Sequence, residues 1–202
     1  MTILTLVRHG ETDWNRDRRI QGTTDIPLND VGRQQARATG LALLDALDPE
    51  LPRVVVSSDL SRAVETAEII AGELGTVVSA YYPQLRERAY GEAEGVDAAE
   101  YAARWGAPPT TADIPGSEPW PHVRRRAVRA LRTVARDARR RTAPVAASVV
   151  VVTHGGLIRE LVRHATRGDL PLPETRMPNG ASYTLLVERE RMRVLSSLGI
   201  PA

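Results

Sequence analysis

Residues Ser148 to Thr153 read SVVVVT and run straight into His154-Gly155-Gly156, after which Leu157 to Thr166 reads LIRELVRHAT. An apolar β-branched run without polar alternation marks a strand covered on both faces, and a helix follows it. The same grammar recurs upstream. Thr2 to Val7 carries Ile3, Leu4, Leu6 and Val7 and stops at Arg8-His9-Gly10. Arg53 to Val56 is a short β-branched strand that ends in Ser57-Ser58-Asp59 and leads into a helix from Leu60 to Leu74, closed by Gly75. A third strand spans Thr76 to Ala80. Strands alternating with helices predict an α/β fold: a three-layer α/β/α sandwich around a mostly parallel central sheet.

The remaining segments fit around that frame. Leu28-Asn29-Asp30 starts a helix on which Ala36, Leu41, Leu44 and Leu47 recur at helical spacing, and Pro49 and Pro52 end it. Arg16 to Thr24 is polar and reads as loop. Residues 81–121 are rich in Gly, Pro and acidic side chains, with one short helix at Ala98 to Trp105. This stretch is expected to be an excursion over the carboxyl edge of the sheet, inside a single domain covering 1–202. A long helix from His122 to Arg141 buries Val123, Ala127, Leu131, Val134 and Ala138, and Ser182 to Val187 pairs with Met192 to Leu198 as a terminal hairpin.

Composition narrows the chemistry. The 202 residues contain no cysteine, which removes disulfides, thiolate nucleophiles and cysteine-ligated metals. No lysine occurs either, so all 27 basic residues are arginine and Schiff-base chemistry is excluded while bidentate anion recognition is well supplied. No apolar run approaches the roughly 20 residues of a membrane span. The N-terminus shows no signal pattern, and the chain reads as cytoplasmic. The arginines between Arg124 and Arg141 form the polar face of an amphipathic helix. A net charge of only +2 speaks against a nucleic-acid backbone binder. One arginine at the start of that helix, Arg125 or Arg126, is expected to reach an anionic substrate.

In open α/β sheets ligands bind beyond the carboxyl ends of the strands. Three strands here end in polar clusters: Arg8 and His9 with Asn15 close behind; Ser57 and Ser58 with Arg62 one helical turn on; and His154 with Gly155 and Gly156 at a helix start. Two arginines, two histidines and helix-start amides at one edge suit a dianionic group such as phosphate. Histidine pairs also occur in metal sites, but Arg8 and Arg62 would repel a divalent cation, and no metal is expected.

Arg8-His9-Gly10-Glu11-Thr12 with Trp14-Asn15 resembles the signature of the histidine phosphatase superfamily, the phosphoglycerate-mutase-like proteins. The resemblance runs on through Gln21-Gly22, Asp25, Pro27-Leu28, Gly32, Gln35-Ala36, the stretch Ser57 to Ala63, Glu65-Thr66-Ala67, Leu85 to Arg88, Gly91, Glu94-Gly95, His154-Gly155-Gly156 and Ile158-Arg159. It implies that His9 is a nucleophile that becomes phosphohistidine, and that Arg8, Arg62 and His154 cage the equatorial oxygens. It makes Glu87 the proton donor to the leaving alcohol and then the base for water, with Glu92 and Glu94 as nearby alternatives. Asn15, Gln21, Gly22 and Gly155 would touch phosphate, and Arg88 and Tyr90 would touch substrate. No cofactor is implied. The expected partner is a small phosphorylated metabolite, with no nucleic acid or membrane, and a homodimer is left open.

Departures from the family's mutases favour a phosphatase, with phosphoglycerate-mutase-type transfer as the alternative. Ala98 stands where those mutases usually place lysine, their paired arginines are missing between Trp105 and His122, and the last block reads His-Gly-Gly. Tyr90, Trp105, Trp120 and His122 are candidates to line the entrance, the tryptophans equally to anchor the excursion. His122 and His164 otherwise read as surface residues.

Overall fold

The computed structural model describes residues 1–106, 113–171, 177–188 and 191–199. Its six strands are β1 (Thr2–Arg8), β2 (Arg53–Ser57), β3 (Val78–Tyr81), β4 (Ser148–Thr153), β5 (Ser182–Val187) and β6 (Met192–Leu198). They form one sheet in the order β3-β2-β4-β1-β5-β6. β1, β2, β3 and β4 run parallel, while β5 lies antiparallel to β1 and β6 antiparallel to β5. The two central strands, β1 and β4, are those that deliver the two histidines.

Helices cover both faces. α5 (Trp120–Thr142) and α6 (Gly155–Ala165) pack Ala127, Leu131, Val134, Leu157 and Leu161 against Leu4, Leu6, Val149 and Val151. On the other face α2 (Asp30–Ala46) and α3 (Ser61–Glu73) set Leu43, Ala63, Ala67 and Ile70 against Val7, Val55, Val150 and Val152. Alternate residues of β1 and β4 thus serve opposite cores, as a two-period strand between two helical layers requires. The α/β/α sandwich expected from the sequence is the observed architecture.

Details differ. The stripe expected on the helix after Asn29 is displaced: Leu41 is exposed, Leu44 and Leu47 only rim the core, and the buried line is Gly32, Ala36, Thr39, Gly40 and Leu43. Small residues take those positions because α2 lies very close to its neighbours. A Cβ on Gly40 would sit 2.8 Å from the Glu73 side chain, and one on Gly10 would sit 2.3 Å from the Gly32 carbonyl oxygen. α6 starts at Gly155, two residues earlier than its apolar pattern suggests, because His154 is the extended N-cap. β3 begins two residues later than expected, and its pairing with β2 shifts register between Val55 and Val56. A one-turn helix, α1 (Asp13–Arg16), lies at the edge of the expected loop, held by a capping box between Thr12 and Asn15. α4 spans Ala98–Trp105 as expected, and part of the excursion, 107–112, lies outside the described residues. No helix among the described residues is long and apolar enough to cross a membrane.

Candidate active site

β1 ends by handing its chain to His9, whose amide donates to the Thr153 carbonyl of β4 at 3.0 Å. The imidazole is only 4% exposed. Its Nδ1 lies 2.7 Å from the Gly10 carbonyl oxygen, an acceptor only, so Nδ1 carries the ring proton and Nε2 keeps a free lone pair. Burial holds the His9 pKa well below its usual range, and the Arg62 and Arg8 guanidiniums push it the same way. A neutral ring of fixed tautomer results.

Arg62 sits in the first turn of α3 and is wholly buried. Its Nη1 donates to the Thr24 carbonyl at 2.9 Å and its Nη2 to the Gly22 carbonyl at 2.7 Å. Its buried Nε has no partner among the described residues. The loop bearing those carbonyls is itself clamped. Glu94 accepts from the Thr23 and Thr24 amides, each at 2.9 Å, from both threonine hydroxyls, and from the Tyr90 amide at 2.9 Å. Asp25, in the same loop, caps α3 through the Ser61 amide at 2.8 Å and hydroxyl at 2.7 Å. Gly22 adopts φ +59°, and a Cβ there would lie 2.0 Å from Glu94 Oε1. Glu94 is therefore a clamp on the Arg62 loop. Those bonds hold its carboxyl below the usual range, although burial alone would raise it.

His154 is completely buried, its ring centroid 5.2 Å from that of His9. Its Nε2 lies 2.9 Å from Ser58 Oγ, which also receives the Leu60 amide at 3.4 Å. With the Leu60 amide on one lone pair, the Ser58 O–H is available to Nε2, and we take the tautomer that uses it, with the ring proton on Nδ1. Nδ1 has no partner among the described residues. Burial first, then Arg62, keeps this imidazole neutral as well. A neutral donor beside a neutral acceptor is the complementary pair that an incoming phosphoryl group needs.

Glu87 changes the expectation for the helix start. The amides of Gly156 and Leu157, expected to face a bound anion, instead donate to its carboxylate at 2.8 and 3.1 Å, with the Arg88 amide adding a third bond at 2.8 Å. The carboxylate occupies the positive end of α6. Arg126 fixes the backbone beneath: it donates to the carbonyls of Gln84, Arg86 and Glu87 and pairs with Glu118 at 2.7 Å. Arg126 therefore supports Glu87 and does not line the pocket, and Arg125 is simply exposed.

The pocket holds about 360 Å³. Arg8, His9, Asn15, Gln21, Gly22, Arg62, Glu87, Tyr90 and Gly155 line it, nine of the positions singled out in the sequence, with His154 beneath them. Asn15 Oδ1 is committed to the Thr12 amide and to Asn179, which leaves its Nδ2 hydrogens for an anion. Arg88 is the exception. It is 3% exposed, donates to the Glu118 carbonyl and Ser117 Oγ, and stacks on Tyr90 and Trp120 at 4.9 and 4.6 Å. That structural role keeps it off the pocket wall. Trp120 lines the pocket, whereas Trp105 packs on Tyr101 at 5.1 Å and His122 is exposed.

Nothing in the sequence reading singled out Met177 or Asn179. Arg8 Nη1 donates to the Met177 carbonyl, and Asn179 Nδ2 donates to the His9 carbonyl at 2.9 Å. The turn-forming Pro178-Asn179-Gly180 was the available signal. Arg18 and Arg19 were missed too, and Arg159 was quoted for the resemblance without a role; the three bring the wall to five guanidiniums against one carboxylate.

A sheet edge that gathers neutral imidazoles and guanidiniums in a cleft marks an α/β enzyme acting on an anionic group. The family model of the histidine phosphatase superfamily (branch 1) matches residues 4–199. The chain is 35% identical over 195 residues to the uncharacterized phosphatase PhoE of Bacillus subtilis, covering 96% of this chain and 93% of that one. It is 35% identical to a metal-independent phosphoserine phosphatase of Arabidopsis thaliana, covering 83% of this chain and 70% of that one. The solved mycobacterial glucosyl-3-phosphoglycerate phosphatase, in complex with VO3, superposes with a TM-score of 0.77 at 29% identity, over 96% of this chain and 97% of that one. The chain belongs to the histidine phosphatase superfamily, among relatives named as phosphatases.

Proposed function

We propose that this chain hydrolyses a small phosphorylated metabolite, a phosphomonoester, without metal and through a phosphohistidine at His9. The tautomer of His9 carries the reading: with Nδ1–H tied to the Gly10 carbonyl, the Nε2 lone pair is the group available to attack phosphorus. The N–P bond forms as the ester P–O bond breaks, and the leaving alkoxide takes a proton from Glu87. Among the described residues Glu87 Oε2 accepts a single N–H, from Gly156, so it is the oxygen with room for that proton. Arg8, Arg62 and the Nδ1–H of His154 meet the charge on the equatorial oxygens, the task divalent cations perform elsewhere. Water then loses a proton to Glu87 and attacks phosphorus, releasing phosphate and restoring His9. Asn15, Gln21, Gly22 and Gly155 hold the phosphate, and Tyr90 bounds the leaving group. The VO3 bound by the glucosyl-3-phosphoglycerate phosphatase supports a phosphate seat in this fold.

The test is hydrolysis of an aryl phosphate in the presence of a chelator, by the native chain and by His9→Ala. Chelator-resistant turnover is expected, lost in the variant, with an acid-labile, base-stable phosphoenzyme trapped from the native chain. Turnover surviving in His9→Ala overturns the mechanism. Transfer of label to an added phosphoglycerate rather than to water overturns the phosphatase reading in favour of a mutase.

A further inference from the structure

The active-site pocket does not end at its rim. Trp120 and Arg159 form a wall shared with a second, smaller hollow, which Arg124, Glu160 and Arg163 complete. Arg124 and Arg163 in turn border a third hollow of about 800 Å³, walled by Arg167, Arg191 and Arg193 and by His164. The three hollows are neighbours along α6, each sharing two wall residues with the next, and their cationic walls come from three separate elements: α5, the end of α6 with the turn after it, and the β6 edge. Glu160, 5% exposed, pairs with Arg124 at 2.6 Å. Among the described residues no carboxylate pairs with Arg163, Arg167, Arg191 or Arg193.

Cations in the last turn of α6 complement the helix dipole, which accounts for Arg163 and His164. It does not account for Arg191 and Arg193, which arrive from the start of the edge strand β6, whereas Arg124 from α5 is met by Glu160. Arg163, Arg167, Arg191 and Arg193 wall one hollow with no carboxylate paired to them among the described residues, and like charges so gathered repel one another, so their convergence favours an anion that fills the groove. We infer that the substrate carries a second anionic group at its far end, seated between Arg163 and the arginines beyond it while its phosphomonoester occupies the cage. This rests on the proposed phosphatase function and narrows its substrate class. Arg163 follows Gly155 by eight residues, about 12 Å along the helix axis, which sets the spacing between the two charged groups. Arg159, one turn before Arg163, is the intermediate station.

A series of ω-phosphonoalkyl phosphates of increasing spacer length, compared with uncharged alkyl phosphates of the same lengths, tests the inference. The kcat/KM ratio of charged to uncharged substrate is expected to peak where the phosphonate reaches about 12 Å. That ratio should fall about tenfold in Arg163→Ala and further in Arg163→Ala with Arg167→Ala, the loss of one charge-assisted hydrogen bond at a time. Calorimetric binding of the best bis-anion to His9→Ala, with and without the arginine substitutions, reads the groove independently of turnover. A flat ratio, or a preference and binding untouched by both substitutions, overturns the inference while leaving the phosphatase reading intact. Absence of His9-dependent hydrolysis across both series, with binding retained, sinks the phosphatase reading instead. A bis-anion that binds the arginines yet fails to compete with an aryl phosphate marks a separate polyanion site and also overturns the inference.

Discussion

Replacing Ser58 with alanine removes one hydroxyl from a wholly buried position and acts on a residue that is not itself altered. The hydroxyl donates to His154 Nε2 at 2.9 Å and thereby holds the ring proton on Nδ1. Without it, Nε2 is a buried polar atom with no partner in either tautomer, a cost of about 1–3 kcal/mol. The variant's urea midpoint should fall accordingly, with an unchanged m-value. Catalysis suffers separately, because the tautomer with its proton on Nε2 presents a lone pair to the phosphoryl oxygens in place of a donor. Loss of one pre-organised donor to a developing oxyanion costs roughly a hundred- to a thousandfold in kcat. A shift of tautomer population removes only part of this, so a fall of about tenfold to a hundredfold is expected. Aryl phosphate turnover and urea unfolding measure the two effects, and nitrogen chemical shifts of His154 report which nitrogen bears the proton. Lowered stability with kcat within about twofold of the native value would refute the assignment of Nδ1–H as a phosphate donor.

Four further outcomes follow. Both imidazoles are held neutral in the fold, His9 and His154 alike first by burial and then by guanidiniums, so the unfolded chain binds up to two more protons once the pH drops below about 6.5. Stability should be complete above that value and decline below it by up to about 1.4 kcal/mol per pH unit for each ring, a slope that His154→Asn lowers; a flat urea-midpoint profile from pH 7 to 5 contradicts this. Gly22→Ala forces a side chain into φ +59° and against Glu94 Oε1 at 2.0 Å, so stability should drop by about 1–3 kcal/mol and turnover by more than tenfold as Arg62 loses its seat. Glu94→Ala frees the same loop, and a larger effect on kcat than on protein yield is expected; native kcat removes the clamp from the account. Arg126→Ala unties the carbonyls of Gln84, Arg86 and Glu87, and should lower kcat most for substrates with poor leaving groups if Glu87 supplies their proton as proposed; an equal effect on all leaving groups contradicts that role.

The layered fold was legible because its strongest signals are local. SVVVVT and the β1 strand had to be buried on both sides, and the stripe on α5 from Val123 to Ala138 is wholly buried as its spacing demands. The stripe on α2 misled because leucine spacing was weighed over glycine. The close approach of Gly32 and Gly40 to their neighbours, which decides that helix's buried face, carries no hydrophobic mark. At the site, residues at strand ends could be brought together by topology alone. What supports them could not: Asn179 reaches His9 from 170 positions away, and Arg126 reaches Glu87 by backbone carbonyls that no motif displays. Arg88 was assigned to substrate by position, yet its neighbours Tyr90 and Trp120 had already claimed its guanidinium.

The internal occupant of the α6 start has a bearing on how this pocket can change. With Glu87 covering the Gly156 and Leu157 amides, much of the reception of foreign charge falls to guanidinium, imidazole and carboxamide tips rather than to main chain. Main-chain cradles bind every lineage to one backbone path. Tips can be exchanged one codon at a time. Exchange of the tips outside the cage, Arg18, Arg19 and Arg159, can therefore alter which leaving group fits while Arg8, Arg62 and His154 stay put.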